Sequence, residues 1–278
     1  MPELPEVEIV KRGMEPAFAG REIARVILNR PDLRFPITPS LPDDVVGRAV
    51  KGLQRRGKYI LCFFDGGAGF VLHLGMSGVI KVLAAGEVYE PKKHDHVIFE
   101  MDDGGRVVFN DARRFGSLLA CYEDSWQQDS PFAKMGPEPL GNGFNGQALF
   151  TALKRRKGPV KAALLDQGVV AGVGNIYACE ALFMAHVSPL RAACDLSRDE
   201  CEALARAVKD VLAEAIEAGG SSLRDYRNTK GDLGYFQHHF QVYDRAGHIC
   251  PSCDDENVIV ERVVQSGRSS FYCAACQT

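Results

Sequence analysis

Lys58-Tyr-Ile-Leu-Cys-Phe-Phe-Asp-Gly-Gly-Ala-Gly-Phe-Val-Leu-His-Leu74 holds two apolar runs, Lys58–Phe64 and Phe70–Leu74, joined by Asp65-Gly-Gly-Ala-Gly69. Apolar runs of strand length around a glycine-rich break predict a β-hairpin. The pattern recurs downstream, where His96–Met101 and Arg106–Asn110 flank Asp102-Asp-Gly-Gly105. Several short strands with Gly-rich turns predict an antiparallel sandwich or barrel. Upstream, a short helix is expected at the N-terminus. Pro5 suits a first helical turn, and Val7, Val10 and Met14 fall on one face. Glu6 and Glu8 stand where the helix dipole favours anions.

The character of the chain changes near residue 135. Gly136-Pro-Glu-Pro-Leu-Gly-Asn-Gly143 reads as a linker. Helical patterns follow, the clearest from Ser197, with Glu200 three residues on as a capping box. Leu204, Val208, Val211, Leu212 and Ile216 line its apolar face, and Gly219-Gly220 ends it. A loop with few apolar residues runs from Ser221 to about Gly234. The expected fold class is α+β and multidomain. Residues 1–134 form a β-sandwich with a leading helix, 135–150 a linker, 151–236 a helical domain and 237–278 a terminal metal-binding segment.

That last segment carries Cys250-Pro-Ser-Cys253 and Cys273-Ala-Ala-Cys276, with nineteen residues between the two pairs. Paired Cys-x-x-Cys knuckles supply the four soft ligands that tetrahedral zinc needs. The closed four-thiolate shell leaves no open position, so one structural Zn2+ is expected at Cys250, Cys253, Cys273 and Cys276. Asp254, Asp255 and Glu256 make the first knuckle acidic for a DNA contact. The other five cysteines lie in apolar or helical stretches and read as small buried hydrophobes.

Composition is that of an ordinary globular protein, 46% hydrophobic and 25% charged, with a net charge of −3. No window approaches the roughly 18 uninterrupted apolar residues of a membrane span. The N-terminus is acidic and lacks the pattern of a secretory signal, so a cytoplasmic location is expected. The global charge gives no sign of a nucleic-acid partner, and any such reading rests on local clusters. Two exist: Lys51, Arg55, Arg56 and Lys58, and Lys154, Arg155, Arg156, Lys157 and Lys161. Such runs are usually solvated faces; two of them in an acidic chain weaken that reading.

Pro2-Glu-Leu-Pro-Glu-Val-Glu8 resembles the N-terminal signature of bacterial formamidopyrimidine-DNA glycosylases. Further stretches agree in order and spacing: His73-Leu-Gly-Met-Ser-Gly78, Lys92-Lys-His-Asp-His96, Asp111-Ala-Arg-Arg-Phe-Gly116, Met135-Gly-Pro-Glu-Pro139, Gly172-Val-Gly-Asn-Ile-Tyr177 and Gly267-Arg-Ser-Ser-Phe-Tyr-Cys273. The likeness covers the whole chain. Two departures stand out. Ala112 replaces the usual proline and is expected to loosen a turn, and the segment between the knuckles is about three residues longer than usual and is expected to enlarge the finger tip, away from Arg268.

The resemblance implies a bifunctional DNA glycosylase and abasic-site lyase that removes oxidised purines such as 8-oxoguanine and formamidopyrimidines. Pro2 is the implied nucleophile once Met1 is removed. Its α-amine, with a reference pKa of about 8 against about 10.4 for lysine, is far more often unprotonated at neutral pH. Glu3 beside it is the implied proton relay, Glu6 faces the same pocket, and Lys58 contacts the damaged nucleotide. His73 is implied in DNA binding. Met76, Arg113 and Phe115 match the wedge that fills the duplex when a base leaves the stack. Asn175 and Tyr177, in a helix–two-turn–helix, and Arg268, at the zinc finger, are implied in DNA binding, with Asn175 and Arg268 on phosphates. The polar stretch Ser221–Tyr235 corresponds to the loop over a flipped purine. The implied partner is damaged double-stranded DNA, bound by a monomer in a bacterial cytoplasm at the nucleoid, with no membrane. Two alternatives stand beside this: an oxidised-pyrimidine glycosylase of the endonuclease VIII type, against which Leu4 argues, and a non-catalytic zinc-dependent DNA-binding protein.

Overall fold

The structure is a computed structural model and describes residues 1–222 and 228–278. The chain forms two compact units, Met1–Ala133 with Ala218–Tyr235, and Lys134–Glu217 with Phe236–Thr278.

The first unit opens with α1 (Leu4–Phe18), followed by β1 (Ile23–Leu28), α2 (Leu41–Val45), β2 (Val50–Arg56), β3 (Tyr59–Phe64), β4 (Ala68–His73), β5 (Gly78–Leu83), β6 (Asp95–Met101), β7 (Arg106–Asp111) and β8 (Ser117–Tyr122). The strands make two antiparallel sheets, ordered β1-β6-β7-β5 and β2-β3-β4-β8. Both hairpins expected from the sequence are present, as β3-β4 and β6-β7. One core joins the sheets to α1. Phe70 of β4 stacks on Phe99 of β6 with ring centroids 5.0 Å apart, and Phe18 of α1 meets both rings edge-on. Truncating a ring in such a cluster to alanine costs roughly 3–5 kcal/mol.

Helix α1 begins where its first-turn amides find acceptors. Glu3 caps it reciprocally with Glu6: the Glu3 side chain takes the Glu6 amide, and Glu6 Oε2 accepts the Glu3 amide at 2.8 Å. Val7, Val10, Met14 and Phe18 are buried along one face. The helix outlasts the short one expected, since Pro16 falls in its final turn.

The second unit holds α3 (Gly146–Leu153), α4 (Val160–Leu165), α5 (Asn175–Met184), α6 (Arg198–Glu217) and a terminal hairpin, β9 (Glu261–Gln265) with β10 (Arg268–Tyr272). The Ser197 capping box is realised, with Glu200 N donating to Ser197 Oγ at 3.2 Å and Ser197 N to Glu200 Oε2 at 2.7 Å. Helix α5 is buried almost throughout. Its Cys179 and Phe183 share a core with Val242, Val260, Phe271, Cys250 and Cys273, so the finger packs on α5 instead of standing alone. The hairpin beside Arg268 closes in two residues, Ser266 and Gly267, both at positive φ. Among the described residues, no helix is long and apolar enough to cross a membrane.

Candidate active site and nucleic-acid interface

In the first unit, Pro2 is buried at the head of α1, and Glu3 beside it is 3% exposed. The Glu6 carboxylate is engaged within the protein. Beyond the Glu3 amide, its Oε1 accepts Ser221 N at 2.8 Å and Ser221 Oγ at 3.2 Å. Glu6 therefore ties residue 221 to α1, the helix that follows Pro2.

Arg55 of β2 pairs with Glu8 of α1 at 2.9 Å, both largely buried, and so fixes α1 against β2. Burial alone would raise the Glu8 carboxyl, yet Arg12, Lys11 and Arg55 together hold it below its ordinary range. Lys51 pairs with Glu123 at 2.5 Å. The first basic cluster is thus partly neutralised internally. Its remaining member singled out by the sequence, Lys58, is 7% exposed on the two-residue turn between β2 and β3.

That turn lies near His73, at the end of β4. Tyr59 and His73 pair across the strands with ring centroids 4.7 Å apart. Burial, and then the positive charges of Lys58 and Arg34, pull the His73 imidazole down to about 4. Its Nδ1 accepts the Gly75 amide at 3.1 Å, which leaves the neutral ring's proton on Nε2 as a donor. Arg34, which the sequence reading did not single out, acts on both Tyr59 and His73, and its amide donates to Gly116 O at 3.0 Å. Its setting in Pro31-Asp-Leu-Arg-Phe-Pro36 shows only a proline-bracketed loop, which gives no sign of this neighbourhood.

Met76, Arg113 and Phe115 come together at the surface. Gly75 has φ +64°, and a Cβ there would sit 2.3 Å from the Phe115 carbonyl carbon, so only glycine lets the two turns touch. Met76 is 38% and Phe115 43% exposed, large apolar side chains offered to solvent. The Arg113 guanidinium lies 4.9 Å over the Phe115 ring. Under them the turn is held from within. Asp111 accepts Ser77 Oγ at 2.6 Å and Gly116 N at 2.8 Å, Ser77 Oγ accepts the Arg113 amide at 3.1 Å, and buried His96 bonds Asp111 O at 2.8 Å. Ala112 lies within this hydrogen-bonded turn.

In the second unit, Gly174 caps α5, and Asn175 opens it. Asn175 Nδ2 donates to Ser269 O at 3.0 Å, while its Oδ1 is buried with no hydrogen-bond partner. Arg268, exposed at the start of β10, is the neighbour of that carbonyl. Lys161 departs from the basic surface read in the sequence. It is 1% exposed, and its Nζ donates to Ser269 O and Ser270 Oγ, each at 2.7 Å. Tyr177 also departs from a DNA-facing role. It is fully buried against Phe236, ring centroids 5.7 Å apart, so it supports α5 from inside. Glu180, equally unmarked in the sequence, is a buried clamp that accepts the amides of Gln241, Val242 and Tyr243.

The four knuckle cysteines gather as expected, their sulfurs within 4.8 Å of one another. Cys250 and Cys276 Sγ are 3.8 Å apart, and Cys253 and Cys273 Sγ 3.7 Å. A tetrahedron with Zn–S bonds of about 2.3 Å has edges of about 3.8 Å, so the residues fit one zinc ion. Four thiolates close the shell, and such a zinc organises the fold with no part in the chemistry. The Ser221–Tyr235 loop is described at its two ends; residues 223–227 lie outside the described residues.

A sandwich with a proline-led helix, a glycine-capped helix beside a basic hairpin, and a four-cysteine cluster together describe a DNA-lesion-processing architecture. Residues 1–118 match the formamidopyrimidine-DNA glycosylase N-terminal domain and 135–227 the H2TH domain of the same proteins. The chain belongs to the formamidopyrimidine-DNA glycosylase family. The formamidopyrimidine-DNA glycosylase of Cereibacter sphaeroides is 53% identical over 285 residues, covering all of both chains. The MutM (Fpg) protein of Thermus thermophilus superposes with a TM-score of 0.87 at 39% identity, over 99% of this chain and 98% of that one. A point mutant of the Lactococcus lactis Fpg in complex with Fapy-dG-containing DNA gives 0.90 at 29% identity, over 100% of both.

Proposed function

We propose that Pro2, Glu3 and Lys58 carry the reaction of this base-excision repair enzyme, and that Met76, Arg113 and Phe115 hold the duplex open while it proceeds. The enzyme removes oxidised purines from double-stranded DNA and cleaves the strand at the resulting abasic site. The single observation that carries the residue assignment is the burial of Pro2 and Glu3 together at the head of a helix fixed by Glu6 and Glu8.

With Met1 removed, the Pro2 nitrogen lone pair attacks C1′ of the damaged nucleotide. The N-glycosidic bond breaks and its electrons leave with the base. The sugar ring opens as C1′–O4′ yields, and Glu3 passes a proton to O4′. The product is an iminium between Pro2 and C1′, an electron sink that acidifies C2′. Loss of the C2′ proton expels the 3′ phosphate, and a second elimination expels the 5′ phosphate. Water then adds to C1′ of the iminium, and its collapse releases the aldehyde and returns the Pro2 amine. In this reading Lys58 and the Nε2–H of His73 meet the phosphate beside the damaged nucleotide.

Asn175 and Arg268 position the backbone. A helix N-terminus with glycine before it favours phosphate charge, and Arg268 adds a full positive charge. The residues from Ser221 to Tyr235 meet the extruded base. The functional parts of the chain run from 1–134 for catalysis, through 135–150 leading into α3, to 151–217 as the helical part and 237–278 as the finger, with Ala218–Tyr235 returning to the first unit. The zinc at Cys250, Cys253, Cys273 and Cys276 supplies structure alone. The protein works as a monomer in the bacterial cytoplasm, at the nucleoid when on DNA.

The test is borohydride trapping on 8-oxoguanine opposite each of the four bases. A covalent cross-link, strongest opposite cytosine, is expected. DNA binding with no trapped complex would make the protein a binder without activity, and trapping confined to oxidised pyrimidines would move it to the endonuclease VIII type.

A further inference from the structure

Arg34 stands in a loop, bracketed by Pro31 and Pro36, that the first unit ties down on both sides. Leu33 N donates to Phe35 O and Ile37 N to Pro31 O, each at 2.9 Å, and Asp32 and Pro36 pair as an isolated β-bridge. Leu33 and Ile37 are buried and seat the loop on the core. Just beyond it, Thr38 Oγ1 accepts Ala120 N of β8 at 3.0 Å. Between these anchors Arg34 and Phe35 are exposed. The Arg34 guanidinium lies 5.5 Å from the centroid of the Phe35 ring, and that ring is 50% exposed. Stacking on an aromatic face holds a guanidinium in one orientation before any ligand arrives.

The loop adjoins both groups of first-unit residues read as facing DNA. Arg34 N donates to Gly116 O at 3.0 Å, next to Phe115. A Cβ on Gly116 would lie 2.8 Å from His73 O, and Ser117 pairs with His73 across β8 and β4. After burial, the charges of Lys58 and Arg34 act on His73, and that of Arg34 acts on Tyr59. The guanidinium is thus within electrostatic reach of the corner at Lys58 and His73. It also lacks a counter-charge. Arg12, Arg21, Arg30, Arg55 and Arg106 each pair with a carboxylate. Among the described residues none pairs with Arg34, and the nearest in sequence, Asp32, is taken by Arg30 at 2.6 Å. Cations gathered without an anion repel one another; a bound anion relieves that.

We propose that Arg34 binds a backbone phosphate of the duplex, with Phe35 holding its guanidinium, so that the 31–36 loop carries the DNA-contact surface from the Arg113–Phe115 turn to the corner at Lys58 and His73. The proposal rests on the reading that those residues face DNA. A guanidinium fork matches two phosphate oxygens at once. Phosphate contacts fix position on the duplex and carry no information about the bases. Arg34 therefore adds affinity and register, and the choice of opposite base stays with Arg113.

The test measures affinity of the full-length protein against salt, on a duplex whose abasic site is a reduced sugar that cannot form the iminium. Each neutralised phosphate contributes about 0.9 to the slope of log K against log salt. Arg34→Gln is expected to lower that slope by about 1. Its affinity deficit should then shrink roughly three- to fourfold as salt rises fourfold. Arg34→Lys, which keeps the charge, should keep the slope. Phe35→Ala should weaken binding at every salt concentration and leave the slope alone. Single-turnover excision of 8-oxoguanine at saturating enzyme should keep its preference for cytosine over adenine in Arg34→Gln. An unchanged slope in Arg34→Gln, a lysine variant that behaves like glutamine, or a flattened opposite-base preference would each overturn the proposal. Lys58→Gln and His73→Gln separate it from the reading beneath it. If they lower the slope and Arg34→Gln does not, the proposal falls alone; if they too leave it unchanged, the reading of that corner falls.

Discussion

Ser77 donates its hydroxyl proton to the Asp111 carboxylate at 2.6 Å and, with the same oxygen, accepts the amide of Arg113 at 3.1 Å. A buried carboxylate thus governs, through one serine, the backbone that presents an exposed arginine. The other Asp111 oxygen holds the Gly116 amide, so the turn is fixed at both ends.

Arg113 is expected to set the choice of opposite base. Once a purine is extruded, its partner's Watson–Crick edge is the remaining record of the pair. Cytosine offers adjacent acceptors to a guanidinium fork, while adenine offers an amino donor that repels it. A good bidentate contact is worth about 1–3 kcal/mol, or roughly five- to a hundred-fold. Arg113→Ala should flatten the preference for cytosine over adenine and spare trapping at abasic sites. Ser77→Ala should weaken the same preference by a smaller factor. Arg114, at φ +59°, belongs to the turn's geometry; full discrimination in Arg113→Ala with loss in Arg114→Ala would reassign the reader by one residue.

Pro2→Gly should bind damaged DNA near normally and lose most cleavage, because a flexible primary amine replaces a constrained secondary one. N-terminal sequencing of active enzyme should begin at Pro2, since an attached Met1 locks the nitrogen in an amide. Wild-type cleavage rates in Pro2→Gly would remove Pro2 from the chemistry.

Zinc removal should act on the second unit. Chelation, or Cys273→Ser, is expected to loosen the finger and the α5 contacts that share its core, because metal binding and folding of such sites are one event. DNA affinity should fall while the strand signal of the first unit persists in circular dichroism. Normal DNA binding by metal-free protein would contradict this.

His73 makes stability depend on pH in a defined direction. Folded, its imidazole stays neutral down to about 4; unfolded, it takes a proton near 6.5. The unfolded chain therefore binds more protons in that window. The contribution is complete above about pH 6.5 and is lost as the pH falls toward 4, amounting to about 2 kcal/mol between pH 7 and pH 5. Urea unfolding at the two pH values should show the loss, and His73→Gln should shrink it. An unchanged pH dependence in His73→Gln would mean that other groups carry it.

Much of the architecture was legible along the chain because it is written in local periods. The β3-β4 and β6-β7 hairpins, the Ser197 capping box and the paired knuckles each depend on residues close in sequence, whose geometry the backbone dictates. The family resemblance, read from seven short motifs, located the candidate site. What each charge does there was another matter. Arg55 and Lys161 look alike as members of basic runs, yet one is paired with Glu8 and the other buried under Ser269 and Ser270. Tyr177 stands inside a DNA-binding motif and faces the core.

Sequence by itself determined the sandwich, the leading helix, the helical region and the cysteine tetrad, because hydrophobic period, turn residues and ligand spacing act over a few positions. Tertiary structure alone decided that Glu6 is spent on Ser221, that Gly75 admits the Phe115 backbone, and that the Arg34 amide meets Gly116. The reason is that steric exclusion and hydrogen bonding act over a few ångströms of space. Residues as far apart in the chain as 6 and 221 meet only when the whole unit has folded around them.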